Sequence, residues 1–381
     1  MLTLITGGEL YGPDPRGAAD LLIVGERIAR IGPTDRRALD GLQLPLEVID
    51  ASGCLVTPGF IDPHEHLLGG SGEEGWATQT PELALSEIVT AGITTVVGCL
   101  GTDTTTKTMP GLLAKAKAFT EEGITAYVYS GGYNVPPVTL TGSVRNDMLY
   151  VPEVIGAGEI AIADKRSTAP TLPELARLVQ DAYVGGILSG KAGVTHFHVG
   201  EGPERLASLR ALLDEHDVSP ESIYPTHIER NEPLMEEAIA LTKRGVTVDI
   251  DTVEHDLPQW LGYYRDHGGD PAKLTISSDA AINSPRTLLE QFWLCIKEHG
   301  FPLDYVLPLF TVNTAKVLKL PRKGRLEPGA DADIIVWRKE SLEPREILAR
   351  GRLMVRDGSL RARERFLEKS NREVNLRGQR K

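Results

Sequence analysis

The feature that most constrains the fold is a repeated alternation of short apolar runs and amphipathic stretches through the middle of the chain. Eight strand candidates centre on 60–64, 94–97, 125–129, 159–162, 194–198, 223–227, 246–251 and 274–278. Helical patterns fall between most of them, at 81–91, 111–122, 172–187, 204–215, 232–244 and 285–298. Strand followed by helix, repeated, is the signature of a parallel sheet with helical crossovers. Eight such units over about 260 residues predict a (β/α)8 barrel, whose chemistry sits at the C-terminal ends of its strands.

The chain ends read differently. Leu21–Val24, Arg27–Ile31 and Glu47–Asp50 are strand candidates broken by Gly25-Glu26 and Gly32-Pro33. At the other end, 324–337 gives a turn and a strand, and 348–358 a hairpin. Two β-rich ends around a long middle predict one small β-sandwich built from both termini. The expected division is residues 1–57, a barrel over 58–322, and residues 323–381. Within the last part, Arg361–Lys381 carries 8 Lys/Arg against 3 Asp/Glu. It reads as a solvated helix with a frayed end, or as an oligomer contact.

Strand ends are where polar residues carry information. His64 and His66 close the first strand in Pro58-Gly-Phe-Ile-Asp-Pro-His-Glu-His66. A strand's side-chain period of two turns both imidazoles to one face. His198 ends the fifth strand, His227 the sixth and Asp279 the eighth. Each alone is an ordinary buried residue, but in a barrel the five converge on one mouth and form a metal-ligand set. His196 lies two residues deeper and reads as core. Asp249 and Asp251 are candidates for groups behind the ligands. The H-x-H run with its flanking Pro58–Asp62 and a distant aspartate resembles the amidohydrolase superfamily. The closing G-x-L-x-x-G-x-D-A-D segment from Gly324 resembles it too.

That resemblance implies two divalent ions bridged by an anion from the fourth strand, commonly a carboxylated lysine. Counting back from Asp164-Lys-Arg166-Ser puts the bridging position at Glu159. Glutamate departs from the usual lysine but also presents a carboxylate to two cations. Lys165 is the nearest lysine, in the wrong register. Imidazole and carboxylate donors favour zinc, with other first-row divalent ions as alternatives. Asp279 is positioned to take a water proton and hand it to a leaving amine.

The loops after the strands narrow the resemblance. They contain Gly69-Gly-Ser-Gly-Glu73, Gly98-Cys-Leu-Gly-Thr102, Ser130-Gly-Gly-Tyr133, Asp164-Lys-Arg166-Ser and Arg230-Asn231. Together they resemble the isoaspartyl (β-aspartyl) dipeptidases over nearly the whole chain. Two arginines at one mouth suit carboxylates, Glu73 suits an ammonium, and Tyr133 suits an oxyanion. Thr102 and the Gly69–Gly72 backbone suit a second carboxylate. The resemblance implies that Glu73 holds the α-amine of a β-Asp-X dipeptide, that Arg166 and Arg230 hold its carboxylates, and that Tyr133 steadies the tetrahedral intermediate. Ser284, shortly after the metal aspartate, is a further carboxylate contact on the same ground.

Two other readings share the fold: an amidohydrolase acting on a cyclic amide or N-acyl amino acid, and a non-catalytic scaffold. The net charge of −12 argues against a general nucleic-acid binder. No run is long and apolar enough to span a bilayer. Cys54, Cys99 and Cys295 are widely spaced and read as reduced, buried thiols of a cytoplasmic protein. The expected partners are a small dipeptide substrate and further copies of the chain, with no nucleic acid and no membrane.

Overall fold

The structure is a computed structural model and describes residues 2–70 and 72–372. The chain opens with β1 (Leu2–Tyr11), β2 (Pro15–Val24), β3 (Arg27–Ile31), β4 (Leu46–Asp50) and β5 (Cys54–Pro58). The barrel strands follow: β6 (Phe60–Glu65), β7 (Ile93–Gly98), β8 (Thr125–Ser130), β9 (Val154–Ile162), β10 (Val194–Val199), β11 (Ile223–Thr226), β12 (Val248–Asp251) and β13 (Leu274–Ser277). The chain returns through β14 (Ile334–Arg338), β15 (Glu343–Ala349), β16 (Arg352–Arg356) and β17 (Ser359–Leu360). All eight expected barrel strands are present. Helices at 109–122, 172–189, 207–215, 232–242, 257–266 and 286–297 cover them.

β6 to β11 form one parallel ladder, and β12 pairs with β13. Backbone bonds close the barrel between its last and first strands: the Asp279 amide donates to His64 O at 3.1 Å, and the His66 amide to Ala280 O at 2.9 Å. Between β11 and β12 the link is a side chain. Asp249 accepts from Thr226 at 2.8 Å, and also from Thr275 and Ser277 on β13. One buried carboxylate thus ties three strands; burial, against these hydrogen bonds, raises its pKa to about 7.

The sandwich expected from the chain ends is one nine-stranded ladder in the order β17-β16-β15-β14-β5-β1-β2-β3, with β4 also on β1. It has its own core, including Ile5, Leu21, Ile23, Val56, Ile334 and Leu348. β5 runs into β6 after a single residue, Gly59, so sheet and barrel share a seam. Phe60 fills that seam, its ring 4.9 Å from Phe292, 5.3 Å from Phe310 and 5.8 Å from Trp337. Such packing is what an aromatic contributes best, and truncating one to alanine typically costs about 3–5 kcal/mol. A second tie is Lys323, 4% exposed, which donates to Asp331 at 2.9 Å, Asp333 at 2.6 Å and Thr125 at the start of β8 at 2.6 Å.

The expected C-terminal helix is not formed in the described part of the tail, which has only a 3-10 turn at Arg365–Lys369. Glu364 just before it is buried and accepts from the Ser86 amide at 2.9 Å, which fastens the tail to the barrel. The rest of that basic stretch, 373–381, lies outside the described residues. No helix among the described residues is long and apolar enough to cross a membrane.

Candidate active site

The C-terminal mouth of the barrel brings His64, His66, Glu159, His198, His227 and Asp279 into one cage. The key is how Glu159 reaches it. The β9–β10 ladder pairs Ala157 with Thr195 and Ile160 with Phe197, so Gly158 and Glu159 together face His196 alone. This extra residue is a β-bulge, a device that re-aims a side chain. Gly158 has φ +147°, and a Cβ there would lie 2.8 Å from the His196 Cβ. Only glycine fits, and its neighbour's carboxylate is turned into the barrel.

The two oxygens of Glu159 go to different partners. Oε2 lies 3.2 Å from His64 Nε2 and 3.6 Å from His66 Nε2. Oε1 lies 2.7 Å from His198 Nδ1 and 3.4 Å from His227 Nε2. Asp279 Oδ1 joins the first pair, 3.4 Å from His64 Nε2 and 3.2 Å from His66 Nε2. His227 and Asp279 each stand just past the end of a strand at positive φ, +64° and +47°. Such left-handed positions are unfavourable for side-chain-bearing residues and cluster at functional sites.

The electrostatics point to cations. Burial opposes charge on His64, yet Glu159 and Asp279 outweigh it and raise its pKa well above the ordinary imidazole value. Burial likewise opposes charge on Glu159, but His64 and His198 hold it well below the usual carboxylate range. The cage therefore favours positive charge at its centre. The fit to metal is also visible in bonds not made: His64 Nε2 and Asp279 Oδ1 are buried without a hydrogen-bond partner. A buried polar atom left unpaired is costly, and a coordinated ion removes that cost.

Supporting groups surround the cage. Asp251 Oδ2 is 2.6 Å from His227 Nδ1, which fixes the ring so that Nε2 faces Glu159. Asp164 Oδ2 is 3.0 Å from His198 Nε2 and 2.7 Å from an Arg166 terminal nitrogen. The Arg166 fork, with His198, holds Asp164 far below the usual carboxylate range. Arg166 reaches on to Glu73 at 2.7 Å, and Thr102 donates to the same Glu73 oxygen at 3.2 Å. The Tyr133 hydroxyl lies 2.9 Å from His198 Nδ1. Burial, then the Glu159 charge, push that phenol well above its ordinary pKa, so it remains a donor.

Two of the expected residues stand at the margin. Arg230 donates through Nε to Val199 O at 2.8 Å, and a terminal nitrogen lies 3.9 Å from the exposed Glu201 carboxylate. Ser284 is exposed, and its hydroxyl accepts from the Arg286 amide at the head of a helix. His196 is core as expected, fully buried with Nδ1 3.1 Å from Tyr224 O. Lys165 is exposed, away from the bridge. Sequence reasoning passed over Asp164 as a mere spacing marker and Cys99 as a packing thiol. All three cysteines are free and buried, but the Cys99 sulfur faces the cage, 3.6 Å from His66 Nδ1. Its position at the end of a barrel strand was the available signal.

The amidohydrolase family model matches residues 55–354. A crystal structure of β-aspartyl dipeptidase from Fervidobacterium islandicum AW-1 has a TM-score of 0.90 and 37% identity, covering 95% of this chain and 99% of that one. The same organism's enzyme in complex with β-Asp-Leu gives 0.89 and 36%, covering 95% and 98%. Among curated relatives, a dihydroorotase of Lactobacillus johnsonii is 27% identical, covering 88% of this chain and 89% of its own length. An adenine deaminase of Rhizobium meliloti is 24% identical over 90% of this chain, which spans only 55% of that protein. The chain is a hydrolase of the amidohydrolase family, in the branch that holds the isoaspartyl (β-aspartyl) dipeptidases.

Proposed function

We propose that this protein is a binuclear metallohydrolase that cleaves β-aspartyl dipeptides into aspartate and a second amino acid. The carrying observation is the division of Glu159 between two imidazole pairs. His64, His66 and Asp279 would hold one ion, His198 and His227 the other, with Glu159 in place of a carboxylated lysine. The nitrogen and oxygen donors suit zinc. When bound, two such ions supply an acidified water and a polarised scissile carbonyl.

The chain's own residues do the rest. Asp279 accepts the proton of the attacking water and returns it to the departing amine. Tyr133 donates to the developing oxyanion, in a site where a preplaced donor is worth most. Glu73 receives the α-ammonium; Arg166, Arg230, Thr102 and Ser284 receive carboxylates. Glu73 and Arg166 are paired with each other at 2.7 Å. A ligand carrying both an ammonium and a carboxylate gives each a new partner, whereas a singly charged one leaves the other ion bare. This favours a zwitterionic β-Asp-X over an N-acyl amino acid. The same reading has the enzyme act in the cytoplasm, as a homo-oligomer, on small dipeptides alone.

The dihydroorotase relative favours a second reading, hydrolysis of a cyclic amide. The deciding experiment pairs metal analysis of wild type and Glu159→Ala with a turnover screen of β-Asp-Leu, other β-Asp-X dipeptides and dihydroorotate. Two ions per chain and β-Asp-X turnover are expected of the wild type, with at least one ion and most of the turnover lost in the variant. Preference for the cyclic amide selects the second reading, and zinc-loaded wild type without β-Asp-X turnover refutes the first.

A further inference from the structure

Cys99 is a buried group at the cage that the proposed reaction leaves without a part. It follows β7 directly, is 1% exposed, and its amide donates to Glu65 O at 3.0 Å, which pins it beside the histidine pair. Its sulfur lies 3.6 Å from His66 Nδ1 and 3.9 Å from Glu159 Oε2. His64, His66, Cys99 and Glu159 each offer one donor atom, all within 4.8 Å of one another. A tetrahedral zinc ion with Zn–S of about 2.3 Å and Zn–N or Zn–O of about 2.0 Å separates its donors by roughly 3.3–3.6 Å. The spacings from the two histidine Nε2 atoms to Glu159 Oε2, 3.2 and 3.6 Å, match those edges, and the sulfur, 3.9 Å from the same oxygen, stands a few tenths of an ångström outside them.

We propose that the Cys99 thiolate is a ligand of the ion held by His64 and His66. The inference rests on the metal-site reading above. On binding, the sulfur–metal bond forms and the thiol proton passes to solvent. That ion then has two imidazoles, two carboxylates and a thiolate to draw on, while its neighbour has two imidazoles and the shared Glu159. The two ions therefore differ: the thiolate site selects soft, thiophilic metals such as zinc over magnesium or manganese.

X-ray absorption of the zinc-loaded wild-type protein tests this without any variant. A sulfur scatterer at about 2.3 Å is expected. Loaded with cobalt, the wild type should show thiolate-to-cobalt charge-transfer absorption in the near ultraviolet. Cys99→Ser should abolish it, and Cys54→Ser should not. The serine variant should also lose one ion to a chelator at least about tenfold more readily. Two bound ions with only nitrogen and oxygen neighbours overturn the thiolate ligand and leave the binuclear reading standing. A wild type that binds no zinc overturns both.

Discussion

Lys323 at the barrel floor and Glu159 at its mouth are both buried, yet their surroundings differ. Lys323 is answered by Asp331, Asp333 and Thr125, at distances between 2.6 and 2.9 Å. Asp333 in turn accepts from the Arg350 amide at 2.8 Å, so the cluster joins sheet, return segment and barrel. At the mouth, the charges outnumber their hydrogen bonds: His64 has no partner at either nitrogen, and Asp279 has none at Oδ1. At the mouth, two of the proposed ligands, His227 and Asp279, also stand at positive φ. The floor is built to be satisfied by the chain itself. The mouth is built to be satisfied by something the chain does not encode.

Breaking each end should therefore give different losses. Glu159→Ala should have the largest effect, a fall in turnover of about a thousandfold or more with loss of at least one ion, read by metal analysis and steady-state kinetics. Lys323→Met removes the buried cation that Asp331 and Asp333 share, leaving Asp331 to Arg27 and Arg322 and Asp333 to the Arg350 amide. It should cost about 3–5 kcal/mol in denaturant unfolding, while the protein that remains folded keeps its metal. Burial opposes charge on Lys323, but Asp333 and Asp331 outweigh it and raise its pKa. The sign follows: this stability is fully present below the ordinary lysine pKa and is lost as pH rises through the elevated one. Retained stability in Lys323→Met would erase the contrast between the two ends. Tyr133→Phe removes one donor to the oxyanion and should lower kcat by roughly 100-fold to 1000-fold, with KM much less affected. Smallest should be Asp251→Asn, weakening one ion by about 10- to 100-fold through the orientation of His227. Competition with a chelator measures it, and an unchanged affinity would show that His227 does not depend on that carboxylate.

Much of this arrangement was legible in the sequence, for identifiable reasons. The eight strands announce themselves because parallel barrel strands are buried on both faces and read as apolar runs. His64, His66, His198, His227 and Asp279 stand at or just past strand ends, so the barrel alone brings them together. What periodicity hides is the break in it. The bulge at Gly158 adds a residue to β9, and Glu159 was found only by a motif count, not by strand alternation. Contacts between loops are equally invisible: nothing in the spacing of Glu73 and Arg166 says that they meet. Cys99 was set aside because a buried thiol usually packs as a small apolar group, whereas this one faces imidazoles and a carboxylate. The described part of the tail, 361–372, departed for the opposite reason. Its composition suits a helix, but the bond from Ser86 to Glu364 commits the chain to a different path.

The glycine kink in β9 has one more consequence. A bridging lysine becomes an anion only after it captures carbon dioxide, so a centre built that way depends on dissolved gas and on pH. Here an extra residue in β9 turns a shorter, ready-made acid between the two imidazole pairs. On the proposed reading, assembly of this centre waits on metal supply alone and is indifferent to bicarbonate.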